Sequence, residues 1–296
     1  MKKDQQTQAR ATFNEIADAW QKLSQKSEKY SLVQNRNALV LKELSSWPQC
    51  SRFLDIGCGT GQLVVEAASS GHQAKGIDYS SAMIDHCRDN ARKAQVDAEF
   101  ELISIFDVST ASKEYDVISA LGFIEYLPRT QLDTFINKVT DMLAIDGKLL
   151  VGSRNRLFNV TSLNEFTDIE IELGNFDNLL RQAMAFQSAE AQDTSFTFLE
   201  AFVNAEPQPN SHPNTGVNVD TRYQYSPGEI YSRLQAAGYR LDAIYPVHFH
   251  AFPPQFKKDN LVEHERIARF IQEQAPSDIR VIPWCSTLIF VASRDI

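Results

Sequence analysis

Apolar side chains in the first 47 residues recur at spacings of three and four: Phe13, Ile16, Trp20 and Leu23, then Leu39, Val40, Leu44 and Trp47. That period puts each set on one helical face and predicts two amphipathic helices that must pack on something downstream. From residue 51 to 153 the period changes. Short apolar runs at 53–56, 74–78, 100–103, 115–119 and 148–151 read as strands, with helices predicted over 62–70, 81–95 and 129–143. Strand–helix alternation favours an α/β, doubly wound, mostly parallel sheet joined by right-handed crossovers. Ligands of such sheets sit at the carboxyl ends of the strands.

The alternation stops at residue 154. Up to about 222 the chain carries Phe158, Phe166, Phe176, Phe186, Phe196, Phe198 and Phe202, then a loop with Pro207, Pro209 and Pro213. So many rings in one insertion suggest a helical lid over a pocket; packing of the insertion onto the core is the plainer reading for most of them. The pattern resumes with a helix over 227–237, Gly238 as its C-cap, a strand over 241–245, a helix over 261–274 and a strand over 287–292. The organisation expected is therefore an N-terminal helical cap (1–47), a ligand-binding core (48–153), an insertion (154–226), and a C-terminal part (227–296) that adds two strands for a seven-stranded sheet.

Charge narrows the function. Lys+Arg 29 against Asp+Glu 38 leaves a net charge of -9, so the surface as a whole repels phosphate backbones and nucleic acid is a poor partner. No apolar run reaches the roughly 20 residues of a membrane-spanning helix, and the start leads into no signal-like apolar stretch; a cytoplasmic protein with no membrane partner is expected. Cys50, Cys58, Cys87 and Cys285 form no Cys-x-x-Cys, which argues against both a zinc framework and a disulfide scaffold.

The sharpest chemical signal is Asp55-Ile56-Gly57-Cys58-Gly59-Thr60-Gly61-Gln62. A strand ends on an acid, then turns through three glycines into a helix start, where the backbone can approach a ligand closely. Asp78 ends the next strand, placed to accept both hydroxyls of a ribose as the corresponding acid of dinucleotide folds does. A nicotinamide loop of the Gly-x-Gly-x-x-Gly type would need glycine at Gln62, and the third glycine stands one residue earlier, at Gly61.

The segment from about 51 to 153 resembles the class I S-adenosylmethionine-dependent methyltransferases, which have a Rossmann-like fold. The resemblance implies S-adenosylmethionine as cofactor and S-adenosylhomocysteine as product. It implies that Gly57, Cys58, Gly59 and Gly61, with Asp55, contact the methionine part, Asp78 the ribose, and Tyr79 and Met83 the adenine. Family members often carry an acid after the third strand that meets the adenine amine; Ser104 stands there instead, so Ser104 with the backbone of Ile105 takes that contact, or Asp107 swings in, or neither does. Leu121 and Gly122 would meet the cofactor by backbone.

Acceptor chemistry is less legible. Glu125 and Tyr126, where the family commonly has Glu-His, are either substrate contacts or a helix start whose carboxylate suits the positive helix end. His248 and His250 sit at i and i+2 after a strand, so both imidazoles face one side and are candidate bases; without a third ligand at recognisable spacing they make a poor metal pair. Arg154 and Asn155, just past the fifth strand, suit a substrate carboxylate, phosphate or carbonyl, and Tyr223 is a further contact candidate. The function expected is methyl transfer to an oxygen or nitrogen of a small-molecule acceptor, in a monomer or homodimer. The alternatives are a nicotinamide-dependent reductase and a non-catalytic S-adenosylmethionine sensor or scaffold.

Overall fold

The computed structural model describes residues 5–25, 30–109, 113–191, 193–202 and 222–295; the Pro207, Pro209 and Pro213 loop lies outside the described residues. Two helices lead, α1 (Gln5–Ser24) and α2 (Leu32–Leu44), followed by β1 (Arg52–Ile56), α3 (Gln62–Ser69), β2 (Gln73–Asp78), α4 (Ser81–Ala94), β3 (Glu99–Leu102), β4 (Tyr115–Leu121), α5 (Arg129–Met142) and β5 (Leu143–Arg154). The insertion contributes α6 (Phe158–Thr161), α7 (Thr167–Glu172) and α8 (Phe176–Ser188). The chain closes with α9 (Pro227–Ala236), β6 (Tyr239–Phe249), α10 (Pro254–Asp259), α11 (Leu261–Gln274) and β7 (Cys285–Arg294).

The seven strands run in the order β3-β2-β1-β4-β5-β7-β6, and β7 is antiparallel to both of its neighbours. The order reverses between β1 and β4, which leaves a crevice at their carboxyl ends. Strand alternation divides the core into two layers. Phe53, Val117, Leu150 and Ile289 face Leu39, Val40 and Leu44 of α2 with Leu63 and Val64 of α3, while Leu54, Ile118, Leu149 and Phe290 face Phe135, Ile136 and Val139 of α5.

Polar contacts dock α1 along α4. Asn14 Oδ1 accepts from Ser80 Oγ (2.7 Å), the carboxylate of Asp18 meets His86 (2.9 Å), and Gln21 donates to Asn90 (2.7 Å). Phe186 and Phe196 of the insertion are fully buried in the α5-side core, and Phe158 and Phe166 are buried as well. These rings serve packing, and none of the insertion's phenylalanines lines the ligand crevice.

Candidate active site

A cavity opens at the crevice between β1 and β4, and its walls come from residues 6–127 together with Arg222. Asp55, Gly57, Cys58, Gly59, Asp78, Tyr79, Met83, Ser104, Ile105 and Leu121 all line it, so ten of the eleven expected cofactor contacts converge in one place. The eleventh, Gly61, does not. It precedes α3 at φ +78°, and a Cβ there would lie 2.9 Å from Cys87 Sγ and 2.9 Å from Phe100 Cε1. Gly61 is needed to seat the loop against α4 and β3 and is not among the cavity-lining residues. Gly59 lines the cavity beneath Trp20: at φ +55° a Cβ would come within 3.3 Å of Trp20 Nε1, so the left-handed backbone and the close indole both favour glycine.

Asp78 is held by backbone: its carboxylate accepts from Gly59 N (3.1 Å) and Ser80 N (2.9 Å). Burial pushes its pKa up to about 6 against those two hydrogen bonds. Asp55, buried and accepting from Ser119 Oγ at 2.6 Å, is pushed up to about 7 by burial, with the Arg36 charge opposing. Ser104 Oγ accepts from Phe106 N at 3.3 Å. Asp107 is exposed and lines a shallower neighbouring depression with Tyr79 and Ser104.

Several cavity walls were not read from the sequence, Arg222 among them. Phe13 and Trp20 of α1 close one side and Arg36 of α2 enters another. The Arg36 Nε is shielded from solvent without a hydrogen-bond partner, and Arg36 makes no ion pair among the described residues. Burial lowers its pKa while the charges of Asp55 and Glu125 support it. A Cβ on Gly122 (φ +65°) would meet Arg36 Nη1 at 2.7 Å, so the guanidinium lies directly against the end of β4. The signal was present: Arg36 falls on the same helical stripe as Val33 and Val40, an arginine within an apolar face.

Glu125 and Tyr126 form a one-turn helix (Ile124–Tyr126) that lines the far end of the cavity. Arg222 Nη2 donates to Glu125 Oε1 at 3.2 Å, and the Arg222 guanidinium lies 5.4 Å from the Tyr126 ring centre. Phe13 meets Tyr126 edge-on at 5.1 Å. Burial raises the Tyr126 pKa, and the Glu125 charge adds to it, so the phenol stays protonated.

The remaining candidates lie elsewhere. Asn155 is buried with its side chain fully committed: Nδ2 donates to Ile282 O and Cys285 O (both 2.8 Å) and Oδ1 accepts from Leu157 N (3.0 Å). It pins the β5 exit to β7, is buried, and is not among the cavity-lining residues. Tyr223 is buried and is not among the cavity-lining residues, with the Arg129 guanidinium 5.0 Å from its ring centre.

His248 and His250 do not line the cavity either. His248 adopts φ +58°, which breaks strand alternation and turns the two imidazoles onto each other. Their rings are 4.7 Å apart and edge-to-face, with His250 Nε2 3.2 Å from His248 Nδ1. His248 stacks on Tyr30 at 5.3 Å, its Nδ1 lies 2.8 Å from Ser286 Oγ, and His264 closes the group 5.3 Å from His250. Among the described residues no cluster of three or more His, Cys, Asp or Glu can hold a metal ion. Burial pushes His248 down to about 3 and His264 to about 4, and His250 is lowered by burial, with His248, Lys257, His264 and Arg154 adding.

Burial holds these imidazoles neutral at pH 7. Their ordinary pKa near 6.5 applies to the unfolded chain, so unfolding takes up protons and the stability they contribute is lost as pH falls from about 6.5 toward 4. The raised Asp55 and Asp78 act in the opposite sense over the same range, so the readout is a difference. Between pH 7 and 5 the Tm of His250→Gln should fall less than that of the wild type in calorimetric melts; parallel shifts would contradict the account.

Comparison with known proteins agrees with this site. Residues 53–147 match the model of a methyltransferase domain. A ubiquinone biosynthesis O-methyltransferase of Coxiella burnetii is 26% identical over 148 residues, which span 50% of this chain and 62% of that protein. Among solved structures, magnesium protoporphyrin IX methyltransferase of Synechocystis, crystallised with bound SAH, superposes with a TM-score of 0.58 at 13% identity, covering 98% of this chain and 100% of that one. The 1,6-didemethyltoxoflavin-N1-methyltransferase of Burkholderia thailandensis gives 0.56 at 10% identity, covering 97% and 85%. At these identities the structural likeness establishes the fold.

Proposed function

We propose that this chain, a class I S-adenosylmethionine-dependent methyltransferase in its fold and in its 53–147 core, transfers a methyl group to an oxygen or nitrogen of a small molecule. One observation carries the reading. A single cavity brings together a glycine turn at Gly57 and Gly59, a buried carboxylate at Asp78 and an unpartnered guanidinium nitrogen at Arg36. Those features suit, in turn, a close-lying ligand backbone, a ribose diol and an amino-acid carboxylate. They fit S-adenosylmethionine, which when bound supplies a methyl already activated on a sulfonium.

The chain's own part is positioning and proton handling. Trp20 and Phe13 exclude water from the donor side, and the Gly59 to Gly57 turn with Asp78 and Arg36 fixes the donor in place. Holding two reactants in line supplies on the order of 7–11 kcal/mol of a barrier. At the other end, the protonated Tyr126 phenol hydrogen-bonds Glu125 and holds its carboxylate in place, and that carboxylate takes the proton that a hydroxyl or amine releases. The acidic surface and enclosed cavity support a small acceptor, and the described helices include none long and apolar enough to cross a membrane.

Calorimetry followed by methyl release tests this. S-adenosylhomocysteine should bind to the purified protein and NADH should not; the reverse would move the protein to the nicotinamide reading. Turnover against a panel of hydroxyl and amine compounds then separates an enzyme from a sensor.

A further inference from the structure

The inward face of α1 turns polar where it meets the glycine turn. Ala9, Thr12, Ala17, Gln21 and Ser24 are buried at helical spacing, while Leu23, the last residue of the apolar stripe, is 52% exposed. Among the described residues, α1 contributes no side chain to the two main core layers. Its apolar contacts form a small separate cluster, Ala9 and Phe13 with Tyr79 and Tyr126, beside the cavity. A hydrogen-bonded network fixes the rest of the helix. Gln62, the first residue of α3, donates from Nε2 to Gln21 Oε1 (3.0 Å) and to Ser24 Oγ (2.9 Å), and its Oε1 accepts from Thr60 Oγ1 at 2.7 Å. Asn90 of α4 donates to Gln21 Oε1 (3.1 Å) and to the Thr60 carbonyl (2.8 Å).

This network reaches the cavity wall directly. Gly57, Gly59 and Gln62 all line the cavity, and Thr60 stands within their turn. Fixing Gln21 also fixes its neighbour Trp20, whose Nε1 lies 3.3 Å from where a Cβ on Gly59 would stand. Further bonds tie α1 to the turn that carries Asp78. Asn14 Oδ1 accepts from Ser80 Oγ (2.7 Å) and from Ala82 N (3.3 Å), and Ser80 N is itself bonded to the Asp78 carboxylate. The helix is therefore bonded to both turns that would touch the donor. Such a contact opens at low cost, because each amide and hydroxyl it releases can bond water instead. Lifting α2 would, by contrast, expose Leu39, Val40 and Leu44, which are buried in the core.

We propose that Gln21 and Gln62 are positioning residues for the donor: their hydrogen bond latches α1 over the site with Trp20 against the glycine turn, and α1 lifts from this latch when the donor enters or its product leaves. A ligand in the cavity adds contacts beneath Phe13 and Trp20, so filling the site favours the closed position further. This rests on the donor reading above and assigns the entry and release step of the same site.

The test uses the full chain with S-adenosylhomocysteine as probe, read by stopped-flow dissociation and by hydrogen exchange. In the wild type, binding should slow exchange of the α1 amides by about 10-fold or more. Gln21→Met and Gln62→Met should each speed dissociation about 10-fold and reduce that protection, while the amides of β1 and β4 exchange as in the wild type. Gln21→Glu keeps the oxygen to which Gln62 and Asn90 both donate, so it should release the ligand at close to the wild-type rate. Wild-type dissociation from both Met variants, equal rates for Gln21→Glu and Gln21→Met, or α1 exchange that ignores the ligand would each overturn the proposal. Loss of protection in β1 and β4 of the Met variants would overturn it too, since the glutamines would then serve the core. Failure of S-adenosylhomocysteine to bind the wild type would instead remove the donor reading, a different result in the same experiment.

Discussion

Asp78→Ala is expected to weaken S-adenosylhomocysteine binding by about 2–4 kcal/mol, roughly 30- to 1000-fold in Kd, because two charge-assisted hydrogen bonds to a ribose diol disappear together. The carboxylate is already oriented by Gly59 N and Ser80 N, so little ordering cost falls on the ligand. A pH arm separates this from simple damage to the loop. Burial raises the Asp78 pKa to about 6, and the diol prefers the ionised form as a double acceptor. Wild-type affinity should therefore climb as pH rises from 5 to about 7.5 and then level, with proton release on binding near pH 6. The Ala variant should lose that slope. Calorimetry in buffers of different ionisation enthalpy reads both quantities, and an unchanged Kd would place the ribose elsewhere.

The glycine loop and Asp78 were legible because their signal is local: strand, acid, turn and helix start follow one another within a few residues, and the backbone conformations they require restrict residue type. The sheet was legible for the same reason, down to α11, whose bounds Leu261–Gln274 match the periodicity. Strand lengths were read short. β6 runs Tyr239–Phe249 rather than 241–245 and β5 reaches Leu143–Arg154 rather than 148–151, because pairing with β7 carries β6 and the end of β5 beyond their apolar centres and Leu143 pairs back to Tyr115 of β4.

What escaped the sequence was whatever depends on contacts distant along the chain. Trp20 reads as a core residue of an amphipathic helix, and only the docking of α1 on α4 turns it over Gly59. Asn155 has the look of a binding residue at a strand end, yet its partners lie about 130 residues away, at Ile282 and Cys285. The His248 and His250 pair was read by strand alternation, and the left-handed backbone at His248 is a tertiary feature that alternation cannot contain.

Arg36 offers the sharper test, because it separates the two ends of the donor. Its Nε has no partner, and its charge is supported by Asp55 and Glu125 without a direct ion pair. The amino-acid carboxylate of the ligand would complete it. Arg36→Met, which keeps most of the apolar stem along the α2 face, should cost S-adenosylhomocysteine about 1.5–3 kcal/mol, roughly 10- to 150-fold. The same variant should bind 5′-methylthioadenosine, which lacks the amino-acid tail, as well as the wild type does. Asp78→Ala should lose both ligands. This crossed pattern distinguishes a tail contact from general loosening of the cavity, since loosening would weaken the two ligands alike. Should Arg36→Met leave S-adenosylhomocysteine affinity intact, the guanidinium would serve only to hold Asp55 ionised. In that case the variant would shift the pH dependence of methyl transfer upward while binding stayed the same.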